Sequence, residues 1–121
     1  MKIYIDDIRD PEKYLSPELS DGIVWLKEAW EARNFLIEHR AEIEVLHLDN
    51  WLGDDFITGK DIFFMVAGDC LWGDREEFAN VKQIYLHSSD TDVVDELMEE
   101  YAEPLLKVGV ELIDNHNENN Y

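Results

Sequence analysis

Lys2-Ile3-Tyr4-Ile5-Asp6-Asp7 opens the chain, and two later stretches follow the same plan: Val45-Leu46-His47-Leu48-Asp49 and Ile84-Tyr85-Leu86-His87-Ser88. Each is a short, β-prone apolar run that closes on groups able to hold a metal or a phosphate. Ligands of an open parallel α/β sheet bind in the crevice beyond the carboxyl ends of its strands. Acids, a histidine and a serine recurring at three such ends therefore point to one shared pocket.

Working outward, the first strand is read at Lys2 to Asp6, apolar enough to be buried on both faces as central parallel strands are. Residues 7 to 22 carry Pro11, Pro17 and Gly22 and leave only Glu12 to Leu15 for a helix, so the first helix is expected to be short or missing. Ile23 to Leu26 is the second strand. A helix follows from about Lys27 to Arg40, with Ala29, Ala32, Phe35, Leu36 and His39 as its buried stripe, widened by Trp30 and Ile37. The third strand is Ile43 to Leu48. After an acidic loop, Thr58 and Asp61 have the spacing of a capping box, which starts a helix that ends near Gly68. Asp69 to Asn80 reads as a turn with an irregular piece, and Val81 to His87 as the fourth strand.

Ser89 or Asp90 is expected to cap the last helix, whose apolar positions are Val94, Leu97, Met98, Tyr101 and Leu105. Asp92, Asp95, Glu96, Glu99, Glu100 and Glu103 line its other side as a solvated face, and Pro104 is expected to end or kink it. Val108 to Ile113 is the fifth strand, and a polar tail, 114 to 121, follows a single domain of residues 1 to 113. Strands alternating with helices imply right-handed crossovers and a parallel sheet. The fold class is therefore flavodoxin-like α/β, five strands ordered 2-1-3-4-5, with Asp6, Asp7 and Asp49 side by side at the switch point and His87 and Ser88 next door.

Composition narrows the function. The chain has 121 residues, 45% of them apolar, enough for one self-supporting core. Cys70 is its only cysteine, which excludes an internal disulfide and a thiolate-rich zinc site; it reads as a small apolar residue. The absence of an apolar run near bilayer length, and of a signal-peptide layout at the start, points to a cytoplasmic protein without a membrane partner. Ten Lys and Arg against 29 Asp and Glu give a formal charge of −19, which disfavours direct nucleic-acid binding. That charge either maintains solubility or presents an acidic, nucleic-acid-mimicking face to a basic protein partner.

Three converging carboxylates repel one another, and a hard cation such as Mg²⁺ or Mn²⁺ relieves that cost, so Asp6, Asp7 and Asp49 are the candidate metal ligands. His87, beside them, is the candidate acid or base, with Asp49 as its catalytic companion. Arg9 and Ser88 are the candidate phosphate contacts, Arg9 through its planar fork. His47, two residues before Asp49 and deeper in the sheet, reads as a packed core histidine. Trp51 and Trp72 are candidate interface anchors.

Ile5-Asp6-Asp7-Ile8-Arg9-Asp10-Pro11 resembles the opening of the cyclic-phosphate-processing receiver-like domains, relatives of response-regulator receivers. Leu48-Asp49, Leu52-Gly53, Thr58-Gly59-Lys60-Asp61 and His87-Ser88 follow in that family's order and spacing, so the resemblance covers about residues 2 to 100. It implies a receiver-like sheet with an acid pocket at Asp6, Asp7 and Asp49, Asp49 standing at a receiver's phosphoacceptor position. Two departures qualify the activity it implies. Asn50 and Trp51 stand where the family pattern has His and Asp, and Val110 to Asp114 offers no counterpart of a receiver's fifth-strand lysine. The leading expectation is thus a cyclic-phosphate or phosphodiester-processing site of reduced or lost activity. The alternatives are a non-catalytic acidic inhibitor of a nucleic-acid-handling protein and a signalling receiver, the latter weakened by the missing lysine.

Overall fold

In the computed structural model, residues 1–49, 57–73, 77–87 and 91–114 are described. Five parallel strands, β1 (Lys2–Ile5), β2 (Ile23–Leu26), β3 (Val45–Leu48), β4 (Gln83–Leu86) and β5 (Glu111–Asp114), form one sheet ordered β2-β1-β3-β4-β5. This is the receiver-like, flavodoxin-like arrangement that the alternation of strands and helices predicts.

Three helices, α3 (Ala29–Glu38), α4 (Gly59–Leu71) and α5 (Thr91–Lys107), return the chain between strands. Their buried residues, among them Leu36, Phe63, Val66, Leu97 and Leu105, join one core with Ile3, Ile5, Leu46, Leu48, Ile84, Leu86 and Leu112. Side chains alternate along a strand, so those strand residues all project from the same face. Fully burying each such side chain stabilises the fold by about 1.5–3 kcal/mol before entropy is counted. The opposite face has a different character. Its central rung runs Trp25, Tyr4, His47, Tyr85 and Ile113 across all five strands. The two faces thus divide labour: one holds the apolar core, the other carries aromatic and ionisable groups.

The first crossover lies over that second face and is made of two single turns, α1 (Pro11–Tyr14) and α2 (Pro17–Ser20), which accounts for the short first helix. Each begins with the same device. Asp10 and Ser16 are N-caps whose side chains accept from Glu12 N and Leu19 N, and each is followed by a proline in the first turn. Proline is preorganised there and lacks only an N–H that would have no partner. Four residues cannot hold a helix alone, but Pro11 and Leu15 are buried and anchor the segment.

Elsewhere several boundaries differ from expectation. Helix α3 begins at Ala29 rather than Lys27, and Trp30 points outward, 45% exposed, instead of widening the buried stripe. Helix α4 starts on the expected box, with Thr58 Oγ1 accepting from Asp61 N and Asp61 returning the bond to Thr58 N, but it runs past Gly68 to Leu71. Helix α5 passes through Pro104 to Lys107. Pro104 removes the N–H that would bond Glu100 O and its ring crowds that carbonyl, while Leu105 next to it is fully buried in the core. Gly109, at φ 88°, then turns the chain, with Val108 and Val110 N–H groups both on Leu105 O, so β5 starts at Glu111 rather than Val108. The six acids of α5 are exposed, as expected of a solvated face. Its expected caps, Ser89 and Asp90, lie outside the described residues. No helix among the described residues is long and apolar enough to cross a membrane.

Candidate functional site

The parallel ladder continues one step beyond the strands. Asp6 N donates to Leu26 O at 3.2 Å, Asp49 N to Ile5 O at 3.0 Å and His87 N to Leu48 O at 2.9 Å. Asp6, Asp49 and His87 therefore form a further rung, on the face of Tyr4, His47 and Tyr85, with neighbouring backbones about 4.8 Å apart. All three are buried. The sequence places Asp7 beside Asp6, and one carboxylate oxygen from each of Asp6, Asp7 and Asp49 lies within 4.8 Å of the others.

Asp6 divides its two oxygens between tasks. Oδ1 accepts from the backbone of Ile8 at 2.9 Å and of Arg9 at 3.0 Å, which folds the loop after β1, while Oδ2 lies 3.8 Å from Arg9 Nη1. The same nitrogen is 4.0 Å from Asp49 Oδ2, so one guanidinium faces two carboxylates. Burial pushes the Asp6 carboxyl up from the usual range; the Arg9 and Ile8 N–H groups and the Arg9 charge pull it back, and Asp7 pushes it up again. The donor set fits a hard divalent cation. Carboxylate oxygens are the donors such an ion takes, Asp6, Asp7 and Asp49 would hold it, and its charge would relieve the desolvated Asp6.

Behind the carboxylates lies a histidine pair. His47 Nδ1 is 2.7 Å from His87 Nε2, the two rings lying edge to edge with centroids 4.9 Å apart and planes 27° apart, and His47 stacks face to face on Tyr85 at 4.3 Å and 11°. Tyr4 flanks both rings, with centroids 5.9 and 5.8 Å away. Burial lowers both imidazoles, His47 to about 4 and His87 to about 3, with Lys2 and His47 respectively adding to the effect. Both are neutral at pH 7, so His87 offers a neutral imidazole there, not an imidazolium. Among the described residues, His47 Nε2 is buried without a hydrogen-bond partner. If His47 donates from Nδ1, that orphan is a bare lone pair; the reverse assignment would bury an unpaired N–H, the rarer situation in folded proteins. With His47 as the donor, His87 accepts at Nε2 and carries its proton on Nδ1.

Residues 1–103 match the family model of the cyclic-phosphate processing receiver domain. The chain belongs to that family. No curated protein and no solved structure matches it. Of the candidate residues of this cyclic-phosphate processing receiver domain, Asp6, Asp7, Arg9 and Asp49 come together, and His87 stands on the adjoining strand. Ser88 and Trp51 lie outside the described residues. Trp72 is 76% exposed at the end of α4. Because α4 leaves the pocket edge of the sheet and rises about 1.5 Å per residue, Trp72 lies at the opposite edge, away from the acids.

Sequence reasoning took His47 as core packing and passed over its bond to His87. It also passed over Trp25, whose Nε1 donates to the carbonyl of Asp6 at 2.8 Å, and Lys27, whose Nζ lies 4.1 Å from the Trp25 ring centroid. A period-two signal was available: Tyr4, His47 and Tyr85 each stand two residues before Asp6, Asp49 and His87.

Proposed function

We propose that this receiver-like domain binds a cyclic phosphate or related phosphodiester at the Asp6, Asp7 and Asp49 pocket and hydrolyses it. The observation that carries the reading is the convergence of three carboxylates within 4.8 Å of one another, two of them facing the same Arg9 guanidinium. A Mg²⁺ or Mn²⁺ ion held by the three acids would supply charge neutralisation at the phosphoryl oxygens and a more acidic water.

The chain's own groups do the rest. Arg9 faces Asp6 and Asp49 at 3.8 and 4.0 Å, and its planar fork suits a phosphate that presents two oxygens beside them. His87, neutral and fixed by His47, acts as a hydrogen-bond donor to a phosphoryl oxygen. In the reaction a water oxygen bonds to phosphorus, one ring P–O ester bond breaks, and the water proton ends on the released hydroxyl. Asn50 and Trp51 remove two groups of the family pattern, so turnover is expected to be slow.

The test is hydrolysis of nucleoside 2′,3′-cyclic phosphates with Mg²⁺ or Mn²⁺ and with a chelator. A phosphomonoester product that disappears on chelation and in Asp49→Asn supports the reading. No turnover with any divalent ion removes the enzymatic part of it.

A further inference from the structure

We propose that the cleft lined by Asp10, Pro11, Glu12, Ser20, Ile23 and Trp25 is a nucleobase subsite selective for guanine, an inference that rests on the neighbouring acid pocket being the phosphate site. The cleft has a volume of about 470 Å³, within the range of small-ligand pockets, roughly 300–1,000 Å³. It is joined to the acid pocket at two points. Trp25 Nε1 is bonded to the carbonyl of Asp6, and Asp10 directly follows Arg9. Trp25 pairs with Tyr4 across the sheet, so its ring stands on the face of the acids, one strand over and one rung behind. A ligand whose phosphate meets Arg9 can thus lay its base against the indole, with the ribose bridging the step.

The lining suits a base rather than a second anion. Trp25 is half-buried, tied at Nε1 and covered in part by Lys27 Nζ, so it is a stacking surface already held in place. Stacking on such a ring is sequence-tolerant, so the choice among bases falls to the polar groups. These are the carboxylates of Asp10 and Glu12 and the hydroxyl of Ser20, with the Lys27 ammonium held against the indole. Asp10 Oδ1 accepts from Glu12 N at 2.9 Å as the cap of α1, whereas Glu12 is exposed and its carboxylate unconstrained by the fold. Carboxylates accept and do not donate, and guanine alone among the common bases offers two adjacent donors, N1–H and the 2-amino group, for a bidentate contact. Uracil, with one N–H between two carbonyls, fits worst. The same negative lining turns away a polynucleotide.

The experiment is calorimetric titration of the full chain, in Mg²⁺, with guanosine 2′,3′-cyclic phosphate, uridine 2′,3′-cyclic phosphate, base-free ribose 2,3-cyclic phosphate and free guanosine. The guanosine cyclic phosphate should bind roughly tenfold or more tightly than the base-free probe, the effect expected of one stacked base. Trp25→Leu should remove that advantage, so that the variant binds guanosine 2′,3′-cyclic phosphate and the base-free probe with equal affinity. Glu12→Gln, at an exposed position that the fold does not need, should erase the guanosine-over-uridine preference. If free guanosine binds with the same sensitivity to Glu12→Gln while the phosphate adds nothing and Asp49→Asn has no effect, the cleft stands and the phosphate reading falls. Equal affinity for the base-bearing and base-free probes overturns the subsite, as does a guanosine preference that survives both substitutions. Failure of both guanosine and its cyclic phosphate to bind also overturns it.

Discussion

His47 and His87 share a hydrogen bond of 2.7 Å within the polar face of the sheet, one pleat apart on neighbouring strands. Both rings are neutral in the fold because burial penalises the imidazolium. In the unfolded chain each titrates near 6.5. Below that value the unfolded state gains protons that the folded state refuses, until the folded values of about 4 and about 3 are reached.

The pair's contribution to stability is therefore complete above pH 6.5 and is lost as pH falls through the window from 6.5 to about 4 for His47 and to about 3 for His87, at roughly 1 kcal/mol per pH unit for each ring. Asp6, whose carboxyl is raised by burial, works in the opposite sense toward the bottom of that window. Urea midpoints at pH 7 and pH 5 should drop on acidification in the native chain and drop less in His47→Met. An equal drop in both would contradict the assignment.

The carboxylate cluster should cost stability when no cation is present. Asp49→Asn removes one of three like charges drawn together in a buried crevice. In chelator the variant should melt a few degrees above the native chain, and in millimolar Mg²⁺ the order should reverse. Differential scanning calorimetry in the two buffers checks both signs.

Two glycines should respond in opposite directions to the same substitution. Gly109 stands at φ 88° and Gly68 lies inside α4, and a Cβ at either meets nothing within 4 Å, so backbone conformation alone decides. Gly109→Ala should cost about 1 kcal/mol, and Gly68→Ala should gain about 0.5–1 kcal/mol. Chemical denaturation of the two single variants measures both.

The ends of the strands were readable because a parallel sheet collects them at one edge, so Asp6, Asp49 and His87 could be grouped without knowing a single contact. The histidine bond was not readable in that way. It joins residues 40 apart across a diagonal, and only the register, Tyr4 with His47 and His47 with Tyr85, brings it about. Pro104 does not end α5, which runs on to Lys107 with Leu105 fully buried in its last turn. The spacing of Trp30 also fits the inward stripe of α3, yet Ala29, Ala32 and Leu36 are the residues buried there and Trp30 is exposed. The cleft beside Trp25 depends on how the two capped turns fold over β2, which no local pattern encodes.

The most direct measurement is a titration of Mn²⁺ or Mg²⁺ into the native chain, Asp6→Asn and Asp49→Asn, followed by the rise in melting temperature. A saturable rise in the native chain that both variants abolish is the result expected of carboxylates meeting on one ion. A rise of equal size in all three proteins, or no rise in any, would contradict the account.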